Sequence, residues 1–114
     1  MTVNNIKELL TRLQGATQPD SDLDLEIANA INWFERANKV IDIAGGRPQV
    51  PQFTNYLDHA LKLARVIEPN HVGAFIWDNG IYEAALDYNQ PCGGANPAIA
   101  LCIAALKAKL SQEE

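Results

Sequence analysis

At 114 residues with 47% apolar side chains, and a mass of 12.5 kDa, the chain is long enough for one domain with a real core and too short for two. The formal charge of -5, with only nine scattered basic residues, excludes a sequence-independent nucleic-acid binder, whose affinity would come from clustered Lys and Arg neutralising phosphates. Met1 to Asn5 lacks a basic region ahead of an apolar core, and no apolar run approaches the roughly 20 residues that span a bilayer, so a soluble intracellular protein is expected.

In chain order, Asn4 to Gln14 carries Ile6, Leu9, Leu10 and Leu13 at helical spacing, with Lys7, Glu8, Thr11 and Arg12 on the other side. This spacing predicts a short amphipathic helix closed by Gly15. A polar connector with Pro19 leads to a second helix beginning near Ser21, where Asp20, Asp22, Asp24 and Glu26 place negative charge at the positive end of the dipole. Its buried stripe is Leu23, Ile27, Ala30 and Ile31. The run from Asp20 to Asp24 superficially matches a calcium loop, but Leu25 stands where the turn glycine belongs and Ile31 where the bidentate glutamate belongs.

Two readings of the next stretch remain open. Phe34, Ala37 or Asn38, and Ile41 continue the helical period as far as Gly45-Gly46, which permits one long helix. Alternatively the helix stops near Trp33 and Lys39 to Ala44, rich in Val and Ile, runs as a strand before a Gly45-Gly46-Arg47-Pro48 turn. The second reading is adopted, because a lone hairpin needs a third strand.

Pro51-Gln52-Phe53 reads as extended, and Thr54 as the N-cap of a third helix running to about Glu68 with the core stripe Leu57, Ala60, Leu61, Ala64 and Ile67. Between Val72 and Tyr88, Asp78-Asn79-Gly80 separates two runs rich in aromatic and branched residues, and Asn-Gly accepts the positive φ angles of a two-residue hairpin turn. With Asn79 and Gly80 in the turn, Asp78 pairs with Ile81, Trp77 with Tyr82, Phe75 with Ala84 and Gly73 with Leu86. One face is then Phe75, Trp77, Tyr82, Ala84 and Leu86; the other is Ala74, Ile76, Glu83, Ala85 and Asp87. After a loop through Cys92-Gly93-Gly94-Ala95, Asn96-Pro97 reads as an N-cap followed by proline at the first helical position. Ile99, Cys102, Ile103, Leu106 and Leu110 form the stripe of that last helix, which packs on a sheet face. The alanines between them allow a close approach, and Lys107 and Lys109 suit its final turns.

These elements predict one α+β domain over residues 1–114, an α/β/α layered sandwich with a small, mainly antiparallel sheet, a 72–88 hairpin and about four helices. Three stretches resemble the phage ABA sandwich domain, a family of small phage and prophage proteins. They are Leu9 to Leu13 with Ala16 to Asp20 and Leu23-Asp24, then Pro51 to Leu61, and finally Asn96 to Lys107. The resemblance covers most of the chain; Asn55-Tyr56 and Trp33 to Val50 depart from it. It implies a phage source, a host-cytoplasmic location and α/β/α layering, and it carries no activity or functional residues.

Few residues nominate chemistry. His59 and His71 lack neighbours at metal-ligand spacing, so no metal and no cofactor is expected. Cys92 and Cys102 need no disulfide in a cytosolic chain with a core of this size. A nucleophilic Cys92 lacks an adjacent base. Cys92, Gly93, Gly94, Ala95 and Asn96 form the candidate ligand loop, because glycines ahead of a helix expose N–H groups to an anion, although no Lys or Arg lies within it. Trp77 and Tyr82 are the candidate partner-binding pair, against the plainer reading of a cross-strand core pair. The resulting expectation is a non-enzymatic phage accessory protein that binds and inhibits a host or anti-phage defence protein through an acidic surface. The alternative is a binder that sequesters a nucleotide-like signal at Gly93-Gly94, between subunits of a homo-oligomer.

Overall fold

The computed structural model describes residues 2–36, 43–44, 47–67, 73–86 and 91–113. Its elements are α1 (Thr2–Gly15), α2 (Ser21–Ile31), α3 (Trp33–Arg36), β1 (Ile43–Ala44), β2 (Arg47–Pro48), α4 (Leu57–Ile67), β3 (Gly73–Asp78), β4 (Ile81–Leu86), β5 (Cys92–Gly94) and α5 (Pro97–Glu113). This is the α+β fold expected: helices packed on a small antiparallel sheet of order β3-β4-β5.

The last helix organises the rest. From Ala98 to Lys109 every residue of α5 except Lys107 is buried, because α5 packs against α1, α4 and strands β4 and β5 at once. A helix apolar all round can only be stable in such a position. Its start follows the predicted signal: Asn96 Oδ1 accepts from Ile99 N–H at 2.7 Å, with Pro97 at the first position. The helix continues to Glu113, so Lys107 and Lys109 fall short of the last turn, and Lys109 is buried. They are not the dipole-facing pair predicted.

The hairpin register is the predicted one at every position, from Gly73↔Leu86 to Asp78↔Ile81. Asn79 and Gly80 adopt φ of 49° and 81°, the positive values that a type I′ turn requires. Of the 39–44 segment expected as a strand, residues 39–42 lie outside the described ones; among the described residues Ile43–Ala44 pairs with Arg47–Pro48 in a ladder separate from the hairpin's. Cys92–Gly94, read from sequence as loop, supplies the third strand by pairing with Tyr82, Glu83 and Ala84. Backbone pairing needs no side chain, so a Cys-Gly-Gly strand gives no propensity signal.

Two further expectations shift. Helix α2 stops at Ile31, where Asn32 takes a left-handed conformation (φ 57°) and its N–H caps Ala28 and Asn29 carbonyls. A single turn, α3, follows and buries Trp33 edge-on against Phe53, ring centroids 5.2 Å apart. Phe53 is not extended chain but sits wholly buried in a 53–55 turn, closed by bonds from Asn55 and Tyr56 N–H to the Gln52 carbonyl. Helix α4 consequently begins at Leu57, and its buried residues are Ala60, Leu63, Ala64 and Ile67. Leu57 and Leu61, predicted for its core stripe, are 40% and 39% exposed: the helix is rotated so that Leu63 meets the core.

Candidate functional site

Two places collect the residues from which chemistry or recognition would come. The first is a buried polar junction around Thr54, where α2, the 53–55 turn and the start of α5 meet. Asp24 accepts from Thr54 N–H and from Thr54 Oγ1–H, both at 2.8 Å. Asp20 N–H donates to Thr54 Oγ1 at 2.9 Å, and Asn96 Nδ2 donates to the Thr54 carbonyl at 3.0 Å. Cys102 Sγ donates to the Phe53 carbonyl at 3.2 Å. Thr54 is therefore not the N-cap of α4; its hydroxyl ties the turn to α2. Asp20, read from sequence as one of the charges facing the dipole, is the residue that caps α2, accepting from Asp22 and Leu23 N–H.

Asp24, read from sequence as a charge facing the helix dipole, is 3% exposed. Burial raises its carboxyl above the usual range, and Asp20 adds to this; the two Thr54 hydrogen bonds and nearby His59 pull the other way. Burial likewise pushes the Cys102 thiol up, with Asp24 adding to the effect. His59 is held near this junction: its Nδ1 accepts from Gln52 N–H at 2.8 Å, and its ring meets Tyr56 edge-on at 5.1 Å. An Asp, a Cys and a His thus lie close together, yet each is turned onto backbone groups. The thiol is buried and faces a carbonyl, so in this arrangement the three groups tie elements of the fold together.

The predicted ligand loop is part of a close contact between β5 and α5. Gly93 and Gly94 lie in β5, and a Cβ placed on Gly94 would stand 2.5 Å from the Ala100 nitrogen and 2.8 Å from its Cα. Gly94 is required by the approach of α5 to the sheet. Cys92 is buried within the strand, and both cysteines are thiols, not a disulfide. Asn96 is committed through both side-chain atoms, to Ile99 N–H and the Thr54 carbonyl, while Ala95 is exposed between strand and helix.

The second place is the hairpin end. Trp77 and Tyr82 are cross-strand partners, with Tyr82 half-buried and Trp77 69% exposed; the Trp77 ring stacks on Phe75 with centroids 5.7 Å apart. On the opposite sheet face Ile76 and Ile81 are 49% and 62% exposed, with Ala74 also open and Glu83, the cross-strand partner of Ile76, half-buried. Sequence reasoning named Trp77 and missed Ile76 and Ile81, because apolar alternation marks a face without saying whether anything covers it. Elsewhere an open groove of about 270 Å³ lies between α1 and α2, with the Arg12–Glu26 ion pair among its lining residues.

Among the described residues no group of three His, Cys, Asp or Glu side chains is placed to hold a metal ion, and no helix is long and apolar enough to cross a membrane. His71 lies outside the described residues. Compared with family models, curated proteins and solved structures, the chain matches none of them.

Proposed function

We propose that the chain works by binding a protein partner at its hairpin end, and not by catalysis. The observation that carries this reading is the exposure of Ile76 and Ile81 together on one face of the hairpin, with Trp77 exposed at the same end on the other face. Large apolar side chains grouped in this way mark interaction surfaces, whereas single scattered ones do not. Glu83 shares the open face with Ile76 and Ile81, and the chain as a whole carries a charge of -5. The partner this fits is a protein with an apolar centre in a basic surface. In the phage setting that the sequence resemblance implies, such a partner is a host or anti-phage defence protein that works on nucleic acid, and covering its basic surface inhibits it.

The test uses wild-type protein and an Ile81→Lys, Glu83→Lys double variant as baits in host lysate, followed by direct binding of each purified captured protein. The expected result is a basic protein held by the wild type, lost from the variant, and released progressively as salt rises. A partner that the variant holds equally well, or that binds independently of salt, overturns the reading.

A further inference from the structure

The three-stranded sheet has two edges of opposite character. On one side β5 is three residues long, follows Pro91 and lies against α5; so short an edge gives another chain little to pair with. On the other side β3 runs for six residues, Gly-Ala-Phe-Ile-Trp-Asp. It has no proline, no lysine and a single charge at its turn end, so it lacks the devices by which solitary sheets protect an edge. Among the described residues nothing pairs with its outer side. In a two-residue hairpin the pair flanking the turn, here Asp78 and Ile81, exchanges both hydrogen bonds. The backbone groups of Ala74, Ile76 and Asp78 therefore face β4, and those of Gly73, Phe75 and Trp77 point outward.

We infer that β3 pairs with β3 of a second copy, antiparallel about a two-fold axis at Ile76, joining two three-stranded sheets into one of six. A two-fold axis normal to the sheet keeps each face on its own side, so residues that pair must share a face. Centred on Ile76, the pairing sets Ile76 against the second copy's Ile76 on the open face. It sets Phe75 against the second copy's Trp77, and Trp77 against its Phe75, on the face that meets α5. Those aromatic pairs are also the ones whose outward N–H and C=O groups bond across the edge. A register centred on Phe75 would instead place Trp77, the most exposed large apolar side chain among the described residues, opposite Gly73 and leave it uncovered.

Charge agrees with this register. Position 78 falls opposite Ala74 of the second copy, so the two Asp78 positions stand about 14 Å apart along the strands. The two Glu83 residues are separated by three strand spacings, again about 14 Å. Both separations exceed the roughly 8 Å screening length at physiological salt, so two acidic chains meet here without opposing like charges. This pairing does not rest on the partner reading above: it uses the edge of the sheet, covers Ile76 and Trp77, and leaves open Ile81 and Glu83, the positions that the partner test changes.

Analytical ultracentrifugation of the full chain over about 1 to 100 μM, a range suited to moderate self-affinity, tests the inference. The expected species has twice the 12.5 kDa chain mass. Ile76→Lys, a change at an exposed position, is expected to keep the circular dichroism spectrum and weaken association by about tenfold or more by facing two ammonium groups across the axis. Ile76→Cys is expected to give a covalent dimer on mild oxidation, since a non-hydrogen-bonded antiparallel pair brings Cα atoms to about 4.5 Å, within disulfide reach. A chain that stays monomeric throughout overturns the inference. So does a dimer that withstands Ile76→Lys and gives no Ile76→Cys crosslink, and so does a monomer whose β3 edge is used only by a different protein.

Discussion

At the Thr54 junction polar side chains are turned inward, and at the hairpin end apolar side chains are turned outward. Asp24, Asn96 and Cys102 look like the makings of a site, yet their donors and acceptors are spent on the backbone of the 53–55 turn. Ile76, Trp77 and Ile81 look like core, yet they are 49–69% exposed. The difference lies in what each group would leave unsatisfied. A buried carboxylate without donors is costly, so Asp24 persists only because Thr54 supplies two. An exposed isoleucine costs a small monomer little, and becomes favourable once something covers it.

The contrast breaks most easily where the inward half is tightest. Gly94→Ala is expected to cost about 3 kcal/mol or more, because its Cβ meets helix backbone that cannot swing aside as a side chain could. At Gly93 an added Cβ finds the Tyr82 carbonyl oxygen at 3.7 Å, an ordinary contact, so Gly93→Ala should change stability by less than about 1 kcal/mol. Urea unfolding of the two variants side by side measures the difference. Similar losses in both would mean that α5 does not lean on β5.

Next comes the junction itself. Thr54→Val keeps the shape of the side chain but removes one donor to Asp24 and the acceptor of Asp20 N–H, for an expected cost of about 2 kcal/mol at neutral pH. Asp24 also sets a pH dependence whose sign follows from its raised carboxyl. The folded chain holds the Asp24 proton more tightly than the unfolded chain does, so this residue's contribution falls as pH rises from the usual carboxylate value through the raised one. Asp24→Asn is expected to remove that fall, read as the variant-minus-wild-type unfolding free energy between about pH 3 and pH 7. A difference that runs the other way would mean that the Thr54 hydrogen bonds outweigh burial.

What the sequence made legible follows the same division. Asn79-Gly80, Asp20 ahead of Ser21 and Asn96-Pro97 each force a local geometry, and the hairpin register and two helix starts came out as read. The face of α4 was not decidable from pattern alone: a stripe through Leu57 and Leu61 and one through Leu63 are equally periodic, and only the approach of α5 selects the second. The strand at Cys92–Gly94 was hidden because its pairing is entirely backbone. Among the candidate residues, Trp77 and Tyr82 face each other across the strands as their spacing implied, but how exposed each is depends on how far α5 covers the sheet, a long-range fact with no local signature.

The smallest expected effect is the most informative about the outward half. Ile81→Thr keeps a β-branched side chain in the strand while replacing the ethyl arm with a hydroxyl at a position that is 62% exposed. If the open face is open in the isolated chain, unfolding should shift by no more than about 0.5 kcal/mol, with the Trp77 fluorescence spectrum unchanged, whereas partner binding at the hairpin end should weaken. A buried isoleucine replaced in this way would lose apolar transfer energy and strand a hydroxyl, costing about 2 kcal/mol or more. A loss of that size, measured where the chain is monomeric, would mean that other residues of the same chain cover Ile81, and the surface assigned to a partner would then be core.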